Sequence, residues 1–445
     1  MFGLQNWALA LTAALSVVHQ TVARPTEVHP GTAKDIVMTS HDTINGTING
    51  IFNTPSAGNS TGASLKITVT NNIASGLTCY VTGQDPNKNK APVMLQSDGS
   101  WYYPTSTGEV GIPQPITADI AIPMNDKGQT TDITIPGYLV SARIWFAVGN
   151  LQFFATSNAD GTYSITQPSE TNTADPSAGV NWGFVEFDYE EKSGIYANIS
   201  YVDFVGIPLG MTLTNSTGGV QTALGLPATA VNSICGDLKT QAAKDGKPWD
   251  KLCQSINGTT LRVLSPYSFM SVPTNTGFSD YFDDYVDKVW DHYSSTGLTL
   301  LPQNGLPNVT CTVSGDTLGC PGDNKNYTKP STADIFGCSS GPFTVDQAVD
   351  SPIHIAAVPR LCAAFNRGTF LLDGGDVQPS LGAKYYYTND ISNFYSKIVH
   401  KYEVDGKGYA FSYDDINPDG NENASGSVTS TTPTLMTVTV GGPTQ

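Results

Sequence analysis

Basic residues are scarce in this chain: 22 Lys and Arg stand against 39 Asp and Glu, for a formal net charge of −17. That field repels phosphate backbones and anionic membrane surfaces, which argues against nucleic acid and membrane as partners. A neutral or cationic ligand is easier to reconcile with it. Histidine is scarcer still, at six scattered positions. No Cys/His spacing matches a zinc site, so no metal is expected. There is no phosphate-cradling Gly loop and no Gly-x-Gly-x-x-Gly between a strand and a helix, so no nucleotide cofactor is expected either. Long apolar runs are also missing, save one. Trp7 to Val18 is broken only by Thr12 and Ser16, too short to span a bilayer but suited to the core of a signal peptide cleaved near Ala23. Residues 1–23 are therefore read as a signal peptide, and the protein as secreted, extracellular or cell-wall associated. The C-terminal "MTVTVGGPTQ" lacks the hydrophobic tail of a lipid-anchor signal.

With 39% hydrophobic and 14% charged residues, the chain is globular and has ample material for a core. Eight Asn-x-Ser/Thr sequons, at Asn45, Asn59, Asn198, Asn215, Asn257, Asn308, Asn326 and Asn423, agree with a secreted glycoprotein. Asn198 stands apart because it falls inside a strand, where glycosylation is not expected. Seven cysteines leave at least one unpaired in a monomer, the expected state. In "CTVSGDTLGC" a two-residue turn at Gly315-Asp316 places Cys311 and Cys320 at a non-hydrogen-bonded position with Cα atoms about 4.5 Å apart, within disulfide reach. Cys235–Cys253 and Cys338–Cys362 follow by proximity, leaving Cys79 as a buried thiol.

Residues 24–62 are rich in Ser, Thr and Asn, with a tandem TING-TING at 43–50. They read as a glycosylated leader or linker without a core of its own. Residues 63–215 alternate over short runs separated by turn residues, as in a β-barrel or sandwich. Residues 216–384 change character to a mixed α/β domain. "ATAVNSICGDLKTQAAKDG", "PWDKLCQSI" and "FSDYFDDYVDKVWDHY" read as helices, the last capped by Ser279, and another helix lies near 359–366. From 385 to 440 strands return in "KYYYTND", "YAFSYDD" and "TLMTVTVGG" and complete the first domain. The fold class is thus mainly β with an inserted α/β part, and the groove between the two is the default ligand site.

What remains for chemistry is carboxylates amid aromatics, the furnishing of a carbohydrate site, where glycosidases work with two Asp or Glu. "NWGFVEFDYEEKSGIYANISYVDFVGIPLG" (181–210) carries Glu186, Asp188 and Glu190 at alternate positions, with Val185, Phe187 and Tyr189 facing a core. By itself that is the wet face of a sheet. Asp203 is harder to dismiss, because burying it among apolar neighbours is costly unless it is paired or lines a cleft. A two-residue turn at Lys192-Ser193 pairs Glu186 with Ile199 and leaves Asp203 roughly 13 Å along the same face. A three-residue turn pairs Glu186 with Ser200 and sends Asp203 to the other face. Neither gives the ~6.5–9.5 Å separation of an inverting carboxylate pair, so a bulge or strong curvature is required. The acids of 280–291 read as a helix N-terminus and a solvated face, and "SYDDINPDGNE" lacks the full ligand series of a calcium loop.

This hairpin resembles glycoside hydrolase family 64, the β-1,3-glucanases related to thaumatin-like proteins. "GYLVSARIWFAVGNLQFF", "FSDYFDDYVDKVWDHY", "RLCAAFNRGTFL" and "YAFSYDDI" are similar to family segments in the same order, so the resemblance spans roughly 65–440 and suggests a fungal secreted member. It implies a thaumatin-like barrel or sandwich domain and an α/β domain flanking a wide groove for β-1,3-glucan. It also implies endo-cleavage with inversion, releasing laminari-oligosaccharides. By position it implies Glu186 as general acid and Asp203 as general base. An acid in that role must hold its proton when substrate binds, so burial or neighbouring carboxylates are expected to raise its pKa. Asp188, Glu190, Tyr196 and Ser200 become candidates for substrate contact. Two alternatives remain: a non-catalytic β-glucan-binding thaumatin-like cell-wall protein, and a structural cell-wall glycoprotein.

Overall fold

The computed structural model describes residues 25–38, 43–45, 64–303, 305–419 and 423–443. The expected signal peptide and most of the TING-TING leader lie outside the described residues. Strand outweighs helix. An eight-stranded sheet runs in the order 427–430, 194–199, 181–190, 139–148, 77–85, 91–95 and 101–102, with 122–123 also joined to 77–85. A five-stranded sheet runs 220–223, 209–215, 433–440, 65–71 and 130–135. Alternation drives both: Leu65, Ile67 and Val69 point inward along one strand, and Val185, Phe187 and Tyr189 along another. These side chains share one continuous core with Val81, Ile144, Leu213 and Val438. The last strand pairs in parallel with 65–71, Val438 opposite Val69, so the β part draws on both ends of the chain. Of the barrel or sandwich expected, the barrel is not formed: both sheets are open. The eight-stranded sheet ends on strands of four and two residues, too short to carry the ladder round.

Between these ends lie helices Ala230–Asp245, Asp283–Ser295, Pro352–Arg367 and Phe394–Tyr402, and three further small sheets complete the described residues. The helix expected from Ser279 begins at Asp283. Phe282 stands at its N-cap, its N–H donating to Thr332 Oγ1, while Phe278 to Phe282 pack as an aromatic turn. Its apolar stripe is as expected, with Tyr285, Val286, Val289, Trp290 and Tyr293 buried. "PWDKLCQSI" is not a helix: one 3₁₀ turn, Trp249–Leu252, gives way to the strand Cys253–Ile256, which pairs with Thr259–Leu264. The helix near 359–366 extends over Pro352–Arg367. Ser351 caps it, Pro352 starts it, and burial of Val358, Leu361 and Phe365 carries it through Pro359. "KYYYTND" forms a 3₁₀ turn, Ala383–Tyr385, not a strand. "YAFSYDD" folds back because the N–H groups of Ala410 and Phe411 donate to the Asp414 carboxylate, at 2.7 and 3.1 Å. The helix Phe394–Tyr402 was not foreseen.

All three expected disulfides are present, and Cys79 is a buried free thiol. Ser314 opposes Thr317 and Val313 opposes Leu318 as the turn argument requires, and Cys311 and Cys320 have Cα atoms 4.2 Å apart. Among the described residues no helix is long and apolar enough to cross a membrane.

Candidate active site

The hairpin that carries the acids turns earlier than expected, its pairing shifted by one residue from the first expected register and by two from the second. Glu190 pairs with Gly194 around a three-residue loop, and Glu186 therefore opposes Asn198. Gly194 closes the loop at φ +73°, where a Cβ would lie 2.1 Å from the Ser430 carbonyl oxygen, so glycine is required. On the other side of the strand Glu186 opposes Arg143. The guanidinium donates twice to Glu186 Oε1, from Nε at 3.2 Å and Nη2 at 3.1 Å. It also lies 4.2 Å from the Phe184 ring centroid, so its orientation is fixed by stacking and by charge together.

Two residues along, the neighbouring strand bulges between Leu139 and Ala142, with Ser141 at φ +48°. The bulge aims the Ser141 N–H at Asp188, whose Oδ1 accepts it at 2.6 Å. Glu186 and Asp188 thus share a wall with Ser141 and Arg143, lining an open cleft of about 330 Å³. Tyr196, opposite Asp188 and 40% exposed, lines it too. The Tyr196 hydroxyl lies 3.2 Å from that of Tyr409, which burial, and then the charge of Asp415, push up.

The remaining candidates lie elsewhere. Glu190 sits at the hairpin tip and accepts from Ser193 Oγ. Ser200 ends the strand in an isolated parallel bridge to Tyr409. Neither belongs to the cleft wall. Asp203 is also outside that wall, in a loop-out of the chain. Val185 opposes Ile199, while the Trp182 carbonyl accepts from the Ile207 N–H at 3.1 Å. Three steps along one strand are therefore matched by eight along the other, and Asp203 lies midway in the surplus. Its backbone carbonyl accepts from the Ser265 N–H, and the next residue, Phe204, packs edge-on against Trp182 and Phe184 with centroids at 4.6 and 5.7 Å. The chain thus departs from regular register at this excursion. Beside Asp203 lies Tyr395, whose hydroxyl donates to the Tyr201 carbonyl at 2.6 Å. Burial, and then the Asp203 charge, hold that phenol well above its usual range.

Sequence reasoning missed Arg143, although it is the lone charge in the apolar run "ARIWFAV". It also missed Asn198 as a cleft residue, where the sequon inside a strand was the available signal. Gln167 and Thr43 also line the cleft and gave no signal at all. Among the described residues no group of three His, Cys, Asp or Glu could hold a metal ion.

A family model described as beta-1,3-glucanase, glycoside hydrolase family 64, matches residues 63–440. A glucan endo-1,3-beta-glucosidase of Cellulosimicrobium cellulans is 25% identical over 376 residues, which are 81% of this chain and 64% of that protein. A protein of the same name from Arthrobacter sp. (strain YCWD3) matches to the same extent, so the chain spans a little under two thirds of the length of these curated relatives. Among solved structures, a laminaripentaose-producing beta-1,3-glucanase in complex with laminaritetraose is 26% identical, with a TM-score of 0.72 over 85% of this chain and 99% of that one. A GH64 beta-1,3-glucanase domain from Clostridium beijerinckii, 20% identical, shares the fold with a TM-score of 0.64 over 87% of this chain and 100% of that one. The chain belongs to glycoside hydrolase family 64, the β-1,3-glucanases.

Proposed function

We propose that the protein is a secreted endo-β-1,3-glucanase with a thaumatin-like β part, hydrolysing β-1,3-glucan with inversion and releasing laminari-oligosaccharides. Glu186 is the general acid and Asp203 the general base. The observation that carries this reading is the position of Glu186. It stands in the wall of an open cleft, within the 63–440 segment that matches the family. The relatives named glucan endo-1,3-beta-glucosidase and the laminaripentaose-producing enzyme support the substrate class.

In this mechanism Glu186 gives its proton to the glycosidic oxygen as the bond to the anomeric carbon breaks. Asp203 takes a proton from a water attacking that carbon from the opposite face. An oxocarbenium-like transition state then needs room for the water between the carboxyls. The eight-residue excursion supports such a spacing, because it frees Asp203 from the pleat that would otherwise fix it. Exposed Tyr196 offers a ring face for a sugar to stack on, and Asp188 can accept from sugar hydroxyls.

Reducing-sugar release from laminarin by the wild type, Glu186→Gln and Asp203→Asn tests the assignment. Each variant is expected to lose at least about 10³-fold in kcat. A wild type that binds laminarin without cleaving it favours the binding-protein alternative. Proton NMR of the first product tests inversion, and an initial β-anomer refutes it.

A further inference from the structure

The segment ahead of the family-matching region is built into two separate sheets of the molecule. Thr26–Glu27 adds a parallel strand to Cys253–Ile256, and the Glu27 carboxylate accepts from Ser255 Oγ at 2.9 Å and from the Asn257 N–H at 2.6 Å. Val28 is buried in a small cluster with Ala178 and Leu261. The N–H groups of His29 and Gly31 donate to the carbonyls of Thr173 and Ala174, and the Asp35 carbonyl accepts from Asn172 Nδ2. Residues 43–45 then add an antiparallel strand to Tyr163–Thr166, with Thr43 opposite Thr166 and Ile44 opposite Ile165. Over its described residues, 25–38 and 43–45, what composition alone presents as a leader without a core is a strap tied at two places.

The second of these strands reaches the cleft that holds Glu186. Thr43 and Ile44 form part of its wall, alongside Gln167 and Asn198. Among the described residues, three buried polar atoms there have no hydrogen-bond partner: Thr43 Oγ1, Gln167 Oε1 and Asn198 Oδ1. Gln167 is only 4% exposed. A buried polar atom left unpaired costs about 1–3 kcal/mol, and most proteins avoid it. Three such atoms in one wall, two on the family-matching segment and one on the strap, are matched by a ligand that brings several hydroxyl donors on one rigid face.

We propose that Thr43, on the strap outside the family-matching segment, is a specificity-determining residue whose hydroxyl binds a glucose unit of the glucan beside Glu186, together with Gln167 and Asn198. This rests on the glucanase reading above. Thr43 touches substrate only, and takes no part in proton transfer. Ile44, 9% exposed and joined to the core, fixes the strand so that the hydroxyl is presented without further ordering.

The test uses the full chain and laminarihexaose as probe. Binding is measured by calorimetry in the Glu186→Gln background, where turnover does not intervene. Thr43→Val keeps the β-branched shape and removes the hydroxyl, while Thr43→Ser keeps the hydroxyl. Thr43→Val is expected to weaken Kd about tenfold and Thr43→Ser to restore most of it. In the otherwise native enzyme Thr43→Val is expected to raise KM by a similar factor, with a smaller change in kcat. Thermal midpoints of both variants, measured alongside, separate a lost contact from a loosened strap: a Kd that tracks the midpoint and not the hydroxyl overturns the proposal. So does a Thr43→Val Kd within twofold of its parent while the wild type hydrolyses laminarin, and the glucanase reading then stands. A wild type inert towards laminarin and unable to bind laminarihexaose overturns both.

Discussion

Ile207 donates its backbone N–H to the carbonyl of Trp182 at 3.1 Å, although the hairpin ladder last pairs their strands at Ile199 and Val185. The chain leaves the sheet after Ile199, crosses the face that carries Phe184 and Glu186, and returns two residues after Val205. Gly206 permits the return, since a Cβ there would lie 2.0 Å from the Trp182 carbonyl oxygen. Asp203 is held on this loop by Phe204, wedged against Trp182 and Phe184.

Phe204→Leu keeps an apolar wedge but loses the edge-on ring contacts. It is expected to cost about 1–1.5 kcal/mol of stability. If Phe204 positions Asp203, kcat falls at least about tenfold at temperatures where the variant is fully folded, with KM little changed. Steady-state kinetics beside a thermal melt decides it. A kcat equal to wild type means the wedge serves stability alone.

Arg143 holds the Glu186 carboxylate in one rotamer by a two-donor fork on Oε1. Arg143→Lys cannot form that fork or stack on Phe184 in the same way. Both Arg143→Lys and Arg143→Ala are therefore expected to lower kcat/KM by about 10²-fold, with lysine recovering little. Full activity in Arg143→Lys would show that charge alone suffices.

His400 bridges two buried carboxylates, Nδ1 at 2.7 Å from Glu403 and Nε2 at 3.1 Å from Asp414, the latter also paired with Arg367. Burial opposes the charge on the ring, but Glu403 and Asp414 outweigh it and push the imidazole up to about 10. The folded state thus holds a proton that the unfolded chain releases near 6.5. Its contribution to stability is complete below pH 6.5 and fades as pH rises towards 10. The thermal midpoint is expected to fall across that window, and to fall less steeply in His400→Gln. At pH 6 His400→Gln should itself be destabilised by about 3 kcal/mol, because two buried acids lose their partner. Parallel midpoint-against-pH curves for the two proteins would rule out the imidazolium.

Asn198 lies in a strand opposite Glu186 and in the cleft wall. A glycan there would fill the space a sugar substrate needs. Peptide mapping of the protein expressed through a glycosylating secretory host is expected to find Asn198 unmodified, while exposed sequons such as Asn308, Asn326 and Asn423 remain accessible. Stoichiometric glycan on Asn198 in an active enzyme would place the substrate elsewhere.

Much was legible from local rules. Period-two alternation marked the inward face of the hairpin through Val185, Phe187 and Tyr189, and turn arithmetic paired Cys311 with Cys320. Helical spacing found the buried stripe of Asp283–Ser295. These properties depend on neighbours close in sequence, and the side chains alone specify them. Motif resemblance singled out Glu186 and Asp203, which strand arithmetic could not bring together.

Tertiary packing decided the rest. A regular ladder fixes side-chain faces two by two, and only contacts from distant segments can break it: Ser265 and the Trp182–Phe184 pair draw Asp203 out of register. Arg143 reaches Glu186 from another strand, a relation no local spacing encodes. Asp414 collects the N–H groups that would have continued a strand at Ala410 and Phe411. Thr43 sits in a stretch whose composition promises no core, yet the edges of two separate sheets hold the described part of that stretch. The sequence by itself determined which residues could do the chemistry, because residue type and short-range pattern carry that information. Which of them meet was decided by long-range burial, where the cost of leaving a polar group unpaired selects one arrangement among many.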